Sequence, residues 1–479
     1  MPPAGSSAAS ALPDETPGAS PAAGATGTAP RPGQRWLRPE LRDGLAREAE
    51  REEAARRAVP TSTRLLMWGG LVVLGALFLV FAYGQQDSAG LDMKVYWRAA
   101  QVLHGLNPEA DDLYAPSLVE AGALELPFTY PPAAALLFYP LGGMGLEQAW
   151  SAMRIANGVL LLAFAGVALR LAPFSRRWFL IRPVPTLLGY AAVLGLAWEL
   201  YPVWFTYVFG QINLLLAVLI LADLGRRRAG GTGTGFLTGL ASGIKVTPAA
   251  MGLVPLVQGQ WRTILGMLVG VAVSILGAAL VLPREVLDYF TVQLWSTGRV
   301  GDDGRIGNQS LNGLVQMWGV PESLASPLWL VLVVAIIVLG GLGIRRTARA
   351  GDRFSATVLG ALVMLLISPI SWEHHWVWVL PLLLALVPER PREAPGWEWA
   401  VSALLGLVLV VAFGDNPSVM AAEYLGDHGA GVVFNGPPAL ERLGTVPILA
   451  SILAGAWLAL RPRAARCAER DAVQDGARS

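Results

Sequence analysis

The sequence predicts an all-α polytopic membrane protein, and three observations carry that class. Of the 479 residues, 54% are hydrophobic, and the mean hydropathy is +0.49. Only 15% are charged, against roughly a quarter in an average soluble protein. Apolar runs long enough to cross a hydrocarbon core recur along most of the chain, so we expect about ten to twelve transmembrane segments. The net charge of +1 carries no information about partners, because the charges are gathered into loops. The single cysteine, Cys467, rules out an intrachain disulfide. Four histidines leave little room for a metal cluster, and only two lysines occur, Lys94 and Lys245.

Residues 1–34 are rich in Ala, Pro, Gly and Ser and cannot bury a core. Residues 35–58 alternate Arg and Glu around Leu37, Leu41 and Leu45, which reads as a short helix with a solvated charged face. The run 65–83 is too long for the apolar region of a cleavable signal peptide, and its polar leader is also too long. It reads as a signal anchor, with the basic leader in the cytoplasm. The expected organisation is a charged cytoplasmic tail over 1–63, a membrane domain over 64–462 with an outer loop at 84–130, and a cytoplasmic tail over 463–479.

The later apolar segments are 131–146, 148–171, 185–200, 205–225, 235–257, 263–282, 326–344, 354–370, 374–388, 397–414 and 444–461. Basic loops orient them: Arg176, Arg177 and Arg182, Arg226 to Arg228, Arg262, Arg345 and Arg346, Arg390 and Arg392, and Arg461 and Arg463 should face the cytoplasm. That assignment leaves 84–130, 283–325, the junction at 368–375 and 415–443 outside. Two segments disturb the alternation. The segment 131–146 is short and flanked by Pro131, Pro132 and Pro140, and 235–257 carries Lys245 and Pro248 at mid-length. If each enters and leaves on one side, the alternation is restored. Broken or re-entrant helices are tolerated where their backbone lines a polar cavity.

Several polar groups then need an account. Asp92 opens an amphipathic stretch just past the first span, with Val95, Ala99 and Val102 on one face and Lys94, Arg98 and Gln101 on another. It can be a helix N-cap or a catalytic carboxylate, and both readings stand at this point. The same loop ends in the aromatic and proline cluster Phe128-Thr-Tyr130-Pro-Pro132. Gln211 and Asn213 head an apolar span. On a continuous helix they lie about 200° apart and share no face. They suit either interhelical hydrogen bonding or a sugar. Asp223 reads as a solvated boundary charge. A lysine near a span's centre costs roughly 2.5–3.5 kcal/mol, so Lys245 beside Pro248 either snorkels or faces an anion in a wet cleft. Asn308-Gln309-Ser310 lies in a loop with Trp295 and Trp318, a setting of amides and indoles that suits carbohydrate. Trp372, Glu373, His374 and His375 follow Ser368-Pro369-Ile-Ser371 at the mouth of a span. Adjacent histidines diverge by about 100° on a helix, which disfavours a shared zinc. One can meet a phosphate or carry a proton while the other packs on a neighbouring helix.

Taken together, Asp92…Val95-Tyr96, Phe128-Thr-Tyr-Pro-Pro132, Gly210-Gln-Ile-Asn213, Ile244-Lys-Val-Thr-Pro248, Asn308-Gln-Ser310 and Ser368-Pro-Ile-Ser-Trp-Glu-His-His375 resemble glycosyltransferase family 87, over about residues 64–388. These are actinobacterial membrane enzymes that use polyprenyl-phosphate sugars. The resemblance implies a GT-C fold in the plasma membrane with its active site on the outer face. It implies inverting transfer of a sugar, most simply mannose, from a polyprenyl-phosphate donor to a glycolipid or glycan of the cell envelope. It implies that Asp92 is the catalytic base. Lys245, His374, His375 and Arg98 become candidates for the donor phosphate. Gln211, Asn213, Asn308, Gln309, Tyr130, Trp372 and Glu373 become candidates for sugar or acceptor. Asp111-Asp112 and Asp302-Asp303 are adjacent pairs, so neither is a DXD motif, and we expect no metal or other cofactor and no nucleic-acid partner. Arabinofuranosyl transfer is the alternative within the family. A lipid or solute transporter and a structural envelope protein are the alternatives outside it. A transporter would gather its polar groups at mid-membrane, whereas here Asp92, Asn308 and His374 fall at the expected outer side.

Overall fold

The computed structural model describes residues 50–85, 90–106, 112–121, 124–226, 233–296, 307–414 and 442–461. The Asp302-Asp303 pair, the loop beyond Gly414 and most of both tails lie outside the described residues. The architecture is helical, as a chain of this hydropathy requires, because a backbone in lipid must satisfy its polar groups internally. Among the described residues, five helices are long and apolar enough to cross a membrane: α2 (Thr61–Tyr83), α5 (Leu146–Leu171), α11 (Trp261–Ala279), α14 (Glu322–Arg349) and α17 (Gly396–Gly414). Two more, α6 (Pro183–Glu199) and α7 (Tyr201–Phe209), meet at a bend of 72° and together make a possible sixth span. Shorter apolar helices are α4 (Pro132–Gly142), α8 (Asn213–Leu224), α15 (Arg353–Ile367) and α18 (Val446–Leu460), with a turn and short helix over Thr247–Leu256. Ahead of α2, residues 50–58 form a charged helix, α1, with Arg56 and Arg57 paired to Glu52 and Glu53 one turn back.

The helices sort into lipid-facing and central ones by which side chains they cover. α2, α11 and α14 leave Leu65, Val72, Leu268, Leu276, Val331 and Val334 exposed, as a bilayer allows. α15 does the reverse: every residue from Arg353 to Leu366 is buried. A helix apolar all round belongs in the interior, and α15 with α16 (Val379–Leu386) forms the middle of the bundle.

The segment 235–257 is broken, as its lysine and proline suggest. α9 (Phe236–Ile244) stops at Lys245, whose backbone is extended, and a 3-10 turn resumes at Thr247 with Pro248 in its first turn. α9 lies tightly along α11 because both present small residues: a Cβ at Gly239 would collide with the backbone of Met267 and Gly270. A second break, which periodicity does not show, divides the run 205–225 at residues 210–212, between α7 and α8. α3 (Leu91–Leu103) follows the first span and packs on α4, with Tyr96 stacked on Phe138 at 4.0 Å between centroids. Between them is the described residues' one strand pair, β1 (Val119–Ala121) against β2 (Leu124–Leu126), antiparallel with Val119 opposite Leu126.

Asp223 is not a solvated boundary charge. It is buried at the end of α8, and its carboxylate caps the start of α9 from outside that helix. Oδ1 accepts from the Gly235 amide at 2.8 Å, and Oδ2 accepts from the Thr238 amide and hydroxyl, both at 2.9 Å. A helix N-terminus leaves amides unpaired and favours an anion, so this contact fixes where α9 begins and hence where Lys245 ends it. Asp223→Leu should cost about 3 kcal/mol, since it strands two amides. Thermal unfolding of the detergent-purified protein should show a lower midpoint, and Asp223→Asn should show a smaller drop.

Candidate active site

The site is assembled from backbone breaks. α7 ends at Gly210 in the left-handed region, φ +72°. That conformation favours glycine, and a Cβ there would also lie 2.6 Å from the Cβ of Met93 and 3.1 Å from the Trp150 ring. The chain leaves the helix for two residues and re-enters it at Asn213. Gln211 and Asn213 therefore do not sit on opposite faces of one helix. Both are buried, and both turn into one polar cluster.

α3 brings Asp92 to Gln211. Its N-cap, Gly90, lies so close to the backbone of Val208 and Phe209 that a side chain would not fit. Asp92 sits in the first turn of α3 and Tyr96 one turn further on. The Tyr96 hydroxyl lies 2.9 Å from the Tyr130 hydroxyl and 2.9 Å from Gln211 Oε1. The Tyr130 hydroxyl donates to the same Oε1 at 3.1 Å. Burial pushes both phenols above their ordinary range, helped by Tyr130 and then Asp92 at Tyr96 and by Asp92 at Tyr130, so both remain donors. With its oxygen occupied, Gln211 turns its N–H groups to the Asp92 carboxylate, to which it hydrogen-bonds. Asp92 is half-buried. Desolvation pushes its carboxyl up to about 6, while the Gln211 hydrogen bond and the Lys245 charge pull the other way.

Lys245 supplies the cation. Its Nζ lies 2.7 Å from His375 Nε2 and donates to Asn213 Oδ1 at 3.3 Å. It also lies 5.4 Å from the centre of the Tyr130 ring, within reach of a cation–π contact. Tyr130 thus touches both halves of the site, its hydroxyl on the Asp92 side and its ring face on the Lys245 side.

The two histidines diverge. They lie on a 3-10 turn, Glu373–Trp378, with their rings 4.7 Å apart and nearly perpendicular. His375 meets Lys245. His374 is buried against Phe205 and Phe209 of α7, at 6.1 and 6.0 Å between ring centroids. Its carbonyl accepts from Thr206 Oγ1 and Asn213 Nδ2, each at 2.9 Å.

Asn308 and Gln309 stand behind that turn, while Trp372 caps its start and Glu373 is its first residue. Asn308 is fully buried and pairs with Trp372 as an isolated antiparallel bridge. Its amide donates to Pro369 O at 3.1 Å and accepts from the Ser371 amide at 2.9 Å. Ser310 and Asn312 donate to the same Pro369 carbonyl at 3.0 and 3.3 Å, and the Gln309 amide donates to Ser371 O at 2.8 Å. The Trp372 ring covers Gly307. Glu373 and Gln309 line a void of about 10 Å³ with Tyr201, Phe413 and Pro447, no larger than one water. Asn308, Gln309, Ser310 and Asn312 brace the 368–375 segment from behind.

The structure therefore brings together Asp92, Tyr130, Gln211, Asn213, Lys245 and His375. It does not bring Arg98 to them. Arg98 lies on another face of α3, with its guanidinium 5.2 Å from the Trp97 ring. Two contributing residues were given no site role by the sequence reading. Tyr96 was legible as the residue four positions after Asp92, on the same helix face. Thr206 carries no sequence signal of its own. Among the described residues, no cluster of three His, Cys, Asp or Glu side chains is placed to hold a metal.

Fold and site together define a polytopic membrane enzyme with a carboxyl in the first turn of α3 and a lysine amine at the break after α9. The chain belongs to glycosyltransferase family 87, whose model matches residues 128–369. It is 30% identical over 373 residues to the polyprenol-phosphate-mannose-dependent alpha-(1-2)-phosphatidylinositol pentamannoside mannosyltransferase of Mycolicibacterium smegmatis, covering 74% of this chain and 85% of that one. It is 33% identical over 301 residues to the polyprenol-phosphate-mannose-dependent alpha-(1-2)-phosphatidylinositol mannoside mannosyltransferase of the same organism, covering 60% and 68%. Among solved structures, ArnT from Cupriavidus metallidurans bound to undecaprenyl phosphate aligns with a TM-score of 0.39 and 17% identity, over 82% of this chain and 77% of that one.

Asn308→Ala should leave Ser371 N without its acceptor and Pro369 O with one donor fewer. We expect a loss of about 1–3 kcal/mol for the buried group left unpaired. The melting midpoint of the purified protein measures it, and an unchanged midpoint would refute the bracing role.

Proposed function

We propose that this enzyme transfers mannose, with inversion, from a polyprenyl-phosphate donor to a glycolipid or glycan of the cell envelope, at the outer face of the plasma membrane. The catalytic unit spans 64–462, with both tails in the cytoplasm. The observation that carries the reading is Tyr130, which joins a hydrogen-bonded carboxylate to a lysine–histidine pair. Base and cation are what this displacement needs. The names of the mycobacterial relatives favour mannose and a phosphatidylinositol mannoside acceptor.

An acceptor hydroxyl attacks the anomeric carbon opposite the phosphate and must lose its proton as it does so. Asp92 takes that proton. A carboxylate whose conjugate acid titrates near 6 is a stronger base than a free aspartate, yet still largely ionised at neutral pH. The bond from the anomeric carbon to the phosphate oxygen breaks, and charge grows on the polyprenyl phosphate. Lys245 and His375 face that charge, which preorganised donors stabilise in a site of low dielectric. Asn213 keeps the ammonium in place. No step is assigned to a metal.

Purified protein supplied with radiolabelled polyprenyl-phosphomannose and a lipid extract should yield a labelled, α-linked glycolipid. Asp92→Asn should lower kcat by about 10²–10⁴ in protein that remains folded. Full transfer by a folded Asp92→Asn protein would remove Asp92 from the mechanism. The base works only when ionised, so kcat/KM should fall about tenfold per pH unit below pH 6 and level off above it. A profile flat from pH 5 to 7 would contradict the assignment.

A further inference from the structure

α3 has a second polar face. Successive helix residues turn by about 100°, so Lys94 and Arg98 lie roughly 200° and 240° round the axis from Asp92. They line a cavity of about 530 Å³ whose walls include Trp97, Ser117 and Glu120. That size lies within the range of ligand sites, roughly 300–1,000 Å³. Its walls are fixed. Trp97 Nε1 donates to Met144 O at 2.9 Å, and Arg98 is held by Gln101 Oε1 at 3.2 Å and by its stack on Trp97. The opposite wall is β1, through Val119 and Glu120, with Ser117 and Leu118 leading into it. Lys94 makes no ion pair among the described residues. It is one of only two lysines in the chain, and the other lies in the catalytic cluster.

Two cations one helical turn apart suit a phosphate. A carboxylate and a hydroxyl in the same cavity suit the hydroxyls of a polyol and disfavour a bare anion. We propose that this cavity binds the phosphodiester-and-polyol headgroup of the acceptor lipid, with Lys94 and Arg98 on the phosphate and Glu120 and Ser117 on hydroxyls. The inference rests on the glycolipid acceptor proposed above and names what recognises it. The helix stands between this cavity and Asp92, a separation of roughly 10 Å. The headgroup and the reacting hydroxyl therefore belong to different parts of the acceptor, joined by at least one further sugar.

The test is calorimetric titration of the full-length, donor-free protein in detergent with glycerophosphoinositol. Binding should weaken about tenfold in Lys94→Gln and recover in Lys94→Arg. Inorganic phosphate should bind more weakly than glycerophosphoinositol. Equal binding of the two would leave an anion site only and overturn the headgroup assignment, as would binding indifferent to Lys94→Gln. In the transfer assay glycerophosphoinositol should raise KM for the acceptor and leave KM for the donor unchanged. Competition with the donor would overturn the proposal. The titration contains no donor, so a wrong donor sugar leaves it intact, and mannosyl transfer without headgroup binding would overturn this inference alone.

Discussion

The structure depends on holding one carboxyl and one lysine amine near each other among side chains that are mostly apolar. Each alone would be costly there, because desolvation favours the neutral form. The cost is moderated by sharing. The charge on Lys245 lowers the carboxyl that burial raises, and Gln211 adds a hydrogen bond to the ionised form. Tyr130 belongs to both circuits, donating to the glutamine that steadies Asp92 and presenting its ring to Lys245. Removing one partner of such a set leaves the other charge uncompensated, which costs more than the pair contributes. The cluster is therefore a unit, and its members lie 92, 130, 211, 213, 245 and 375 residues along a chain that must bring them together.

It does so by interrupting helices. An intact helix in lipid satisfies its own backbone and offers only side chains, at fixed angular spacing. A break frees carbonyls and amides and lets neighbouring residues point the same way, as Gln211 and Asn213 do on either side of the turn after Gly210. Each freed group then needs a partner. The His374 carbonyl receives Thr206 and Asn213, and the Pro369 carbonyl receives Asn308, Ser310 and Asn312. This divides the polar motifs. Some meet in the cluster around Asp92 and Lys245, while others satisfy the backbone that holds it. Asn308 is of the second kind, and its burial says so.

That division explains what could be read from the sequence. Lys245 stood out because lysine beside proline inside an apolar run has few structural uses. The paired histidines stood out because they cannot share a helix face, and one faces the cation while the other packs on α7. The helical class followed from hydropathy alone. Asn308 and Gln309 looked like carbohydrate ligands because composition cannot tell an amide that meets a ligand from one that meets a carbonyl. Gly210 gave no warning of its break, since a glycine in an apolar run also suits close helix packing. Asp223 was misread because it stands near Arg226, whereas its partners are amides 12 and 15 positions on, across a turn. Spans were hard to count for the same reason: runs of similar hydropathy become one long helix in α14 and two bent pieces in α6 and α7.

Helix α3 shows how far one short amphipathic element can be made to serve. Its thirteen residues present Met93, Tyr96, Ala99 and Ala100 to the protein interior. Asp92 sits at the N-terminal end of that face, where it joins the buried hydrogen-bond circuit. An acid in a first turn also complements the helix dipole, so the same position stabilises the helix and places the proposed base. Lys94, Trp97 and Arg98 occupy the other side and line a separate cavity. A rigid rod between the two fixes their separation, whatever moves around it. If the far cavity holds the acceptor's headgroup, α3 measures the acceptor. Lipids whose reacting hydroxyl sits too near the phosphate cannot reach Asp92 while the phosphate is held. Selection among acceptors of different lengths then follows from helix geometry, without a dedicated pocket for each added sugar.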